Sequence, residues 1–223
     1  MIPFLEQPVE HLLERLEHTS SRWIIGMAGL PGSGKSTLVT RLETEVNART
    51  SPGTMQALGM DGFHLSKTQL RALPDPDAAL ARRGAAWTFD VEGLLARLQK
   101  LRSAAGKDWK DCKDYVAWPD FQHEVGDPVE GTFSVSPATR LILVEGLYLL
   151  HDEDGWEAIA RAFDECWFLD TTSEVALERL TQRHMNAWNL TRAQAQERIA
   201  TNDHLNADIV WKSRHRANWI VAS

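Results

Sequence analysis

The sequence predicts an α/β fold, an open sheet of five parallel strands flanked by helices. Three observations carry that expectation. Short apolar runs alternate with helical-period segments along the 223 residues. The best run, Leu141-Ile142-Leu143-Val144, is continuous, as in a strand buried on both faces. The first run leads through a Gly-rich turn directly into a helix.

In chain order, Leu5, Val9, Leu12, Leu13 and Leu16 recur at helical spacing, so the chain opens with an amphipathic helix within residues 1–20. Trp23–Met27 reads as a buried strand. After the Gly-rich turn, Leu38, Val39, Leu42 and Val46 mark one face of a helix, and Met55–Met60 is a second, weaker strand. Residues 61–89 are turn-rich, with Pro74, Pro76 and Gly84. Asp90 is placed to cap a helix whose apolar face is Val91, Leu94, Leu95, Leu98 and Leu101. Residues 103–137 are polar and rich in Asp, Lys, Gly and Pro, which predicts an irregular functional loop or insertion. Cys166–Leu169 and Trp219–Val221 are the last strands. Thr171-x-x-Glu174 and Thr191-x-x-Gln194 read as capping boxes that open helices.

Composition excludes several classes. Lys and Arg total 24 against 31 Asp and Glu, for a net charge of −7, so a surface built to wrap nucleic acid is not expected. Two cysteines, Cys112 and Cys166, make neither a disulfide framework nor a zinc ribbon. No apolar run nears the ~20 residues that span a bilayer, and the first residues carry acids rather than a leader's apolar stretch. The expected address is the cytoplasm. His11 and His18, with no further ligand nearby in sequence, read as surface residues. Nine Trp against two Tyr is an unusual ratio; Trp23, Trp167 and Trp219 suit core packing, whereas Trp87, Trp109, Trp118 and Trp188 fall near the expected site and suggest an aromatic-walled pocket.

The chemistry starts at Gly29-Leu30-Pro31-Gly32-Ser33-Gly34-Lys35-Ser36, a G-x-x-x-x-G-K-[ST] phosphate-binding loop between a strand and a helix. Glycines let successive N–H groups point inward at phosphate oxygens, and the helix N-terminus that follows favours negative charge. Gly29 to Ser36, with Thr37, are therefore the candidate nucleotide-binding residues of a P-loop NTPase. Lys35 reaches the β/γ-phosphates, and the Ser36 hydroxyl is a Mg²⁺ ligand. Glu145 ends the best strand, where carboxylates face the ligand crevice, and is the second candidate Mg²⁺ residue, directly or through water. Gly146 follows it, so the Asp-Glu pair of motor ATPases is missing; an Asn-Lys-x-Asp guanine-reading signature is missing too. Asp61 ends the neighbouring strand, where a carboxylate can take a proton from an attacking hydroxyl. Arg179 and Arg183 lie four apart on one helical face and can clamp a transferring phosphate. Lys35, Asp61, Arg179 and Arg183 are the candidate catalytic set.

Gly29–Ser36, Met60-Asp61-Gly62-Phe63-His64, Arg83-Gly84 with Thr88-Phe89-Asp90, and Val144-Glu145-Gly146-Leu147-Tyr148, in that order, resemble the uridine kinase/pantothenate kinase/phosphoribulokinase superfamily, in particular its nucleoside-kinase-like and fructose-kinase-like branch. The resemblance runs from about residue 22 to 221. It implies a single P-loop kinase domain with a nucleoside/nucleotide kinase-like fold, a substrate-side segment at 103–137 and lid helices at 173–206. It implies transfer of a phosphoryl group from ATP, with Mg²⁺, to a hydroxyl of a nucleoside, a sugar or a pantothenate-like alcohol. It places Phe63, His64, Arg83, Asp90 and His123 at the substrate, and Glu178-Arg179-Leu180-Thr181-Gln182-Arg183 in the lid. Related chains usually carry Phe-Asp-His where this one has Phe121-Gln122-His123, so an acidic contact is missing there or has moved to Asp120. The expected partners are ATP and a small-molecule acceptor, with no nucleic acid or membrane, for a monomer or homodimer. The contrasting expectation is a nucleotide-dependent regulator with no acceptor, which would need no base at Asp61.

Overall fold

The structure, a computed structural model, describes residues 3–104, 115–122 and 124–222. Its centre is a five-stranded, all-parallel sheet in the order β2-β5-β1-β6-β7, formed by Met55–Gly59, Leu141–Glu145, Trp23–Gly29, Glu165–Asp170 and Trp219–Ala222. The register sets Gly26 beside Val144 and Met27 beside Glu145. Gly59 is also beside Glu145. The strands' C-terminal ends are thereby level, and the phosphate loop, Asp61 and Glu145 emerge along one edge.

Helices cover both faces. On one, α1 (Pro3–His18) and α2 (Lys35–Arg49) bury Val9, Leu12, Leu42 and Val46 against Ile25, Leu143 and Trp167. On the other, α5 (Val91–Ser103), α6 (Trp156–Ala162) and α9 (His204–Ser213) bury Leu94, Leu98, Ile159 and Val210 against Ile24, Ile142, Val144 and Phe168. Two short helices, α3 (Lys67–Arg71) and α4 (Pro76–Ala81), occupy the turn-rich segment. Their starts follow from Ser66, which forms a capping box with Gln69, and from Asp75 ahead of Pro76. The helices α7 (Ser173–Trp188) and α8 (Arg192–Arg198) run on into α9 through a π-helical turn, Ile199–Asp203.

Four expectations change. Residues 116–122 and 127–135 form an antiparallel pair, the hairpin strands β3 (Val116–Gln122) and β4 (Asp127–Val135), rather than an irregular stretch. Its outer strand is mostly exposed and carries Pro128 and Gly131, so it lacks the apolar alternation that marks a strand in sequence. The α7 cap is Thr172, which accepts from the Val175 N–H; Thr171 is buried and serves the phosphate loop instead. His11 is no surface residue: its ring packs against Trp167 and Trp219, and Nε2 lies 2.9 Å from Glu165 Oε2. Trp118 is fully buried, donates from Nε1 to Gly59 O and meets Phe63 edge to face, so it is a core residue rather than a pocket wall. Of the remaining Trp residues read as pocket candidates, Trp87 and Trp188 are about half exposed, and Trp109 lies outside the described residues, as does Cys112. Cys166 is a free, buried thiol whose pKa is pushed up to about 11 by burial. Among the described residues no helix is long and apolar enough to cross a membrane.

One buried cation joins the layers. Arg22 is 5% exposed, and its guanidinium donates to Leu101 O in the last turn of α5 and to Ser136, Pro137 and Thr139 carbonyls ahead of β5. A cation at a helix C-terminus is favoured, and its removal strands buried acceptors. Arg22→Met is expected to cost about 3 kcal/mol, a fall of roughly 6–12 °C in Tm for a chain of this size. Urea unfolding and thermal melts measure it; an unchanged melt would remove Arg22 from the account of how the layers are joined.

Candidate active site

The phosphate loop is held from below by its own carbonyls. Lys35 is 8% exposed, and Nζ donates to Gly29 O at 2.8 Å and Leu30 O at 3.0 Å. Ser33 O accepts from Thr171 Oγ1 and from the Arg179 guanidinium, both at 3.1 Å. Gly32 (φ 79°) and Gly34 (φ 96°) adopt the left-handed backbone that turns the loop. A Cβ on Gly32 would fall 2.3 Å from Ala176 O, so α7 sits directly on the loop.

Across the loop, Ser36 Oγ donates to Glu145 Oε1 at 2.7 Å. Asp61 lies in a short 3₁₀ turn, Met60–Phe63, at the end of β2. The glycine after it has a packing reason: a Cβ on Gly62 would lie 2.1 Å from Pro119 O, so the β3 backbone closes against this turn. Gly146 is similarly crowded by Met60. The two short motifs thus need glycine where backbone or side chain comes too close for anything larger.

One cavity of about 340 Å³ collects the parts: Gly32, Gly34, Lys35, Ser36, Thr37, Asp61, Glu145, Arg179, Arg183 and Asp203 line it. Lys35 and Glu145 lie within electrostatic reach of each other. Burial pulls the Lys35 ammonium below its ordinary pKa, partly offset by Glu145 and Asp61. Burial likewise raises the Glu145 carboxyl, and Lys35 counters it. A hydroxyl and a carboxylate oxygen suit a hard cation, and Mg²⁺ typically takes one or two protein oxygens beside phosphate and water. Among the described residues no cluster of three or more His, Cys, Asp and Glu could hold a metal by itself.

The acceptor-side expectations fare differently. Phe63 is 5% exposed and packed on Trp118, so its ring belongs to the core. Arg83 is engaged by the hairpin: it donates to Asp127 Oδ1 and Gly126 O, both at 2.6 Å, and to Leu65 O, and its guanidinium lies over Phe121. These contacts tie Arg83, which the resemblance places at the substrate, to the hairpin. Asp90 Oδ1 accepts the Gly93 N–H and caps α5. His64 lies between Phe89 and Phe121, with Nδ1 2.8 Å from Asp61 O. His123 lies outside the described residues. A second opening of about 320 Å³ shares Ser36, Asp61 and Glu145 with the first and continues between α2, β2 and the hairpin.

Sequence reasoning left Asn202, Asp203 and Asn206 without a role. Arg82 donates to Asn202 Oδ1 at 2.6 Å and to Asn206 Oδ1 at 3.3 Å. Asn206 Nδ2 and Tyr148 Oη both donate to Gly84 O. The set thus ties the π-helical turn to the segment around Gly84 and places the Asp203 carboxylate in the phosphate cavity. No local pattern signals a π turn, although such turns recur at functional sites.

The sequence matches the Phosphoribulokinase / Uridine kinase family over residues 24–220. An ATP-dependent kinase-like protein of Aspergillus versicolor is 40% identical over 156 residues, which is 70% of this chain and 88% of that one. A candidate uridine kinase of Schizosaccharomyces pombe is 34% identical over 90% of this chain and 83% of its own. Among solved structures, a candidate fructose transport system kinase from Silicibacter sp. TM1040 superposes with a TM-score of 0.83 at 30% identity, covering 97% of this chain and 98% of that one.

His184 follows Arg183 on α7. It is 3% exposed, its Nδ1 has no hydrogen-bond partner among the described residues, and Nε2 lies 3.7 Å from Asp203 Oδ2. Burial, with the Arg183 and Arg198 charges, lowers its pKa from 6.5 to about 4. An imidazole kept neutral in the fold contributes stability above its unfolded pKa and loses it as pH falls towards the folded value. The Asp203 carboxyl, raised mainly by burial, titrates in the opposite sense. Relative to His184→Gln, the parent protein is therefore expected to lose more unfolding free energy between pH 6.5 and 4. Parallel pH-dependent urea titrations of the two proteins measure it; identical slopes would contradict the buried neutral imidazole.

Proposed function

We propose, for a chain that belongs to the phosphoribulokinase / uridine kinase family and is a P-loop kinase, that it transfers the γ-phosphoryl group of ATP to a hydroxyl of a small metabolite. One observation carries this reading: a single cavity holds the phosphate-loop Lys35, the Ser36–Glu145 pair and the strand-end carboxylate Asp61. A nucleotide-dependent switch needs the first two and has no use for the third.

The roles follow from position. The loop N–H groups and Lys35 bind the β- and γ-phosphates. Ser36 and Glu145 would hold Mg²⁺, which would supply positive charge to offset that of the phosphates. Asp61, exposed at the cavity edge, accepts the proton of the attacking hydroxyl. The new bond joins the acceptor oxygen to the γ-phosphorus as the bond to the β–γ bridging oxygen breaks, and ADP leaves with that electron pair. Arg179 and Arg183 face the equatorial oxygens from α7, with charge stabilisation as their function. Asp203 lines the same cavity as Arg183, whose charge favours the Asp203 carboxylate.

Two substitutions test the division. Lys35→Ala is expected to weaken ATP binding and turnover together. Asp61→Asn is expected to bind ATP within a few-fold of the parent and to lose about 10²–10⁴-fold in kcat, read by ADP release in the presence of an accepted alcohol. Near-parental transfer by Asp61→Asn would refute the base. ADP release that no alcohol accelerates would favour the switch.

A further inference from the structure

On the kinase reading above, which it presupposes, we infer that the acceptor is an uncharged polyhydroxy compound of sugar or nucleoside size, and that Asp120 selects it. The opening that adjoins the reacting centre is the basis. Ser36, Asp61 and Glu145 form its inner end, where it meets the phosphate cavity. Its outer walls are Val39 and Thr40 of α2, Ala57 to Gly59 of β2, and Asp120, Phe121 and Phe133 of the hairpin. At about 320 Å³ it lies at the small end of the range for small-molecule pockets.

The distribution of charge decides the class of ligand. None of the residues lining this opening is Lys or Arg, and three are acids. The cations nearby are committed elsewhere: Arg83 to Asp127, Gly126 O and Leu65 O, Lys67 to Val125 O, and Lys35 to the loop carbonyls. Arg179 and Arg183 line the phosphate cavity and are absent from this opening's walls. A carboxylate or phosphate ester entering here would meet Asp61 and Asp120 with no lysine or arginine in the walls to offset them. Two like charges a few ångströms apart in a partly buried site cost enough to lower binding on the order of 100-fold.

Asp120 is half-buried, and its carboxylate forms no hydrogen bond or ion pair with a side chain or backbone group of the described residues. It owes its place to the hairpin. The ladder shifts register between Trp118 and Asp120, with Gly131 (φ 69°) in the extra stretch of β4. Trp118 is thereby locked into the core while Asp120 lines the opening. An unpaired carboxylate accepts hydrogen bonds and donates none, so the acceptor must supply a second hydroxyl beside the one that Asp61 deprotonates. Phe121 and Phe133 offer apolar surface for the carbon face of such a ligand.

The test uses the full-length protein with Mg·ATP and ADP release as readout, on charge-matched pairs: ribose with ribose 5-phosphate, glycerol with glycerate, pantothenol with pantothenate. The uncharged member is expected to have the higher kcat/KM by on the order of 100-fold. On the best uncharged acceptor, Asp120→Asn is expected to raise the acceptor KM about tenfold, leaving kcat and the ATP KM within twofold. Asp120→Lys is expected to narrow the pair ratio at least tenfold, and Asp120→Ser serves if that variant melts early. An anionic member turned over faster, or an acceptor KM unmoved in Asp120→Asn, would overturn the inference while leaving the kinase reading intact. If no alcohol of either charge stimulates ADP release although ATP binds, the kinase reading itself falls and takes this inference with it.

Discussion

A phosphate loop works by turning its N–H groups in towards the phosphate site, and that leaves carbonyls facing the protein, where water cannot serve them. In this protein the carbonyls of Gly29, Leu30 and Ser33 accept from Lys35, Thr171 and Arg179. An unsatisfied buried acceptor would cost about 1–3 kcal/mol, so these three side chains set the geometry around them. Lys35 opens α2, Thr171 ends the β6 connection, and Arg179 lies on α7. The lid helix is thus tied to the loop through the loop's own backbone, and Gly32 admits it at a distance where any side chain would collide with Ala176 O.

The same constraint governs the charges. Burying Lys35 is unfavourable by itself, and burying Glu145 is too; each shifts towards its neutral form for that reason. Placed in one cavity they offset each other, and Ser36 adds a hydrogen bond to the carboxylate. The excess of acids over bases in the whole chain therefore coexists with a local pocket suited to phosphate. Asp61 and Asp120, outside that pairing, line the acceptor-side opening.

The central sheet was legible because its strands are buried on both faces and announce themselves as continuous apolar runs. The phosphate loop was legible because its backbone conformation demands glycine at fixed spacing, and Glu145 and Asp61 because strand ends face the crevice. What depended on tertiary contact was not. Phe63 and Trp118 looked like pocket residues by position in a motif or loop, yet the buried turn at Gly62 pulls both into the core. Arg83 was expected at the substrate, and a hairpin, itself invisible in a polar stretch, delivers Asp127 to it. His11 looked exposed because its partners, Glu165, Trp167 and Trp219, come from strands 150 or more residues away. These errors share a cause: periodicity reports which face of an element is buried, and says nothing of what a distant element brings to the other face.

The acceptor and donor sides are joined by a polar network that neither motif contains. Arg82 reaches from the end of α4 to Asn202 and Asn206, and Asn206 and Tyr148 converge on Gly84 O. Asn202 and Asp203 are neighbours in the π-helical turn, so the bond that anchors one fixes where the other's carboxylate enters the phosphate cavity. Arg83, the residue next to Arg82, grips the hairpin that carries Asp120. A two-residue basic pair therefore connects the hairpin on one side to the lid turn on the other. Neither arginine needs to touch a ligand to matter, because displacement of the 82–84 segment would move both walls of the site together.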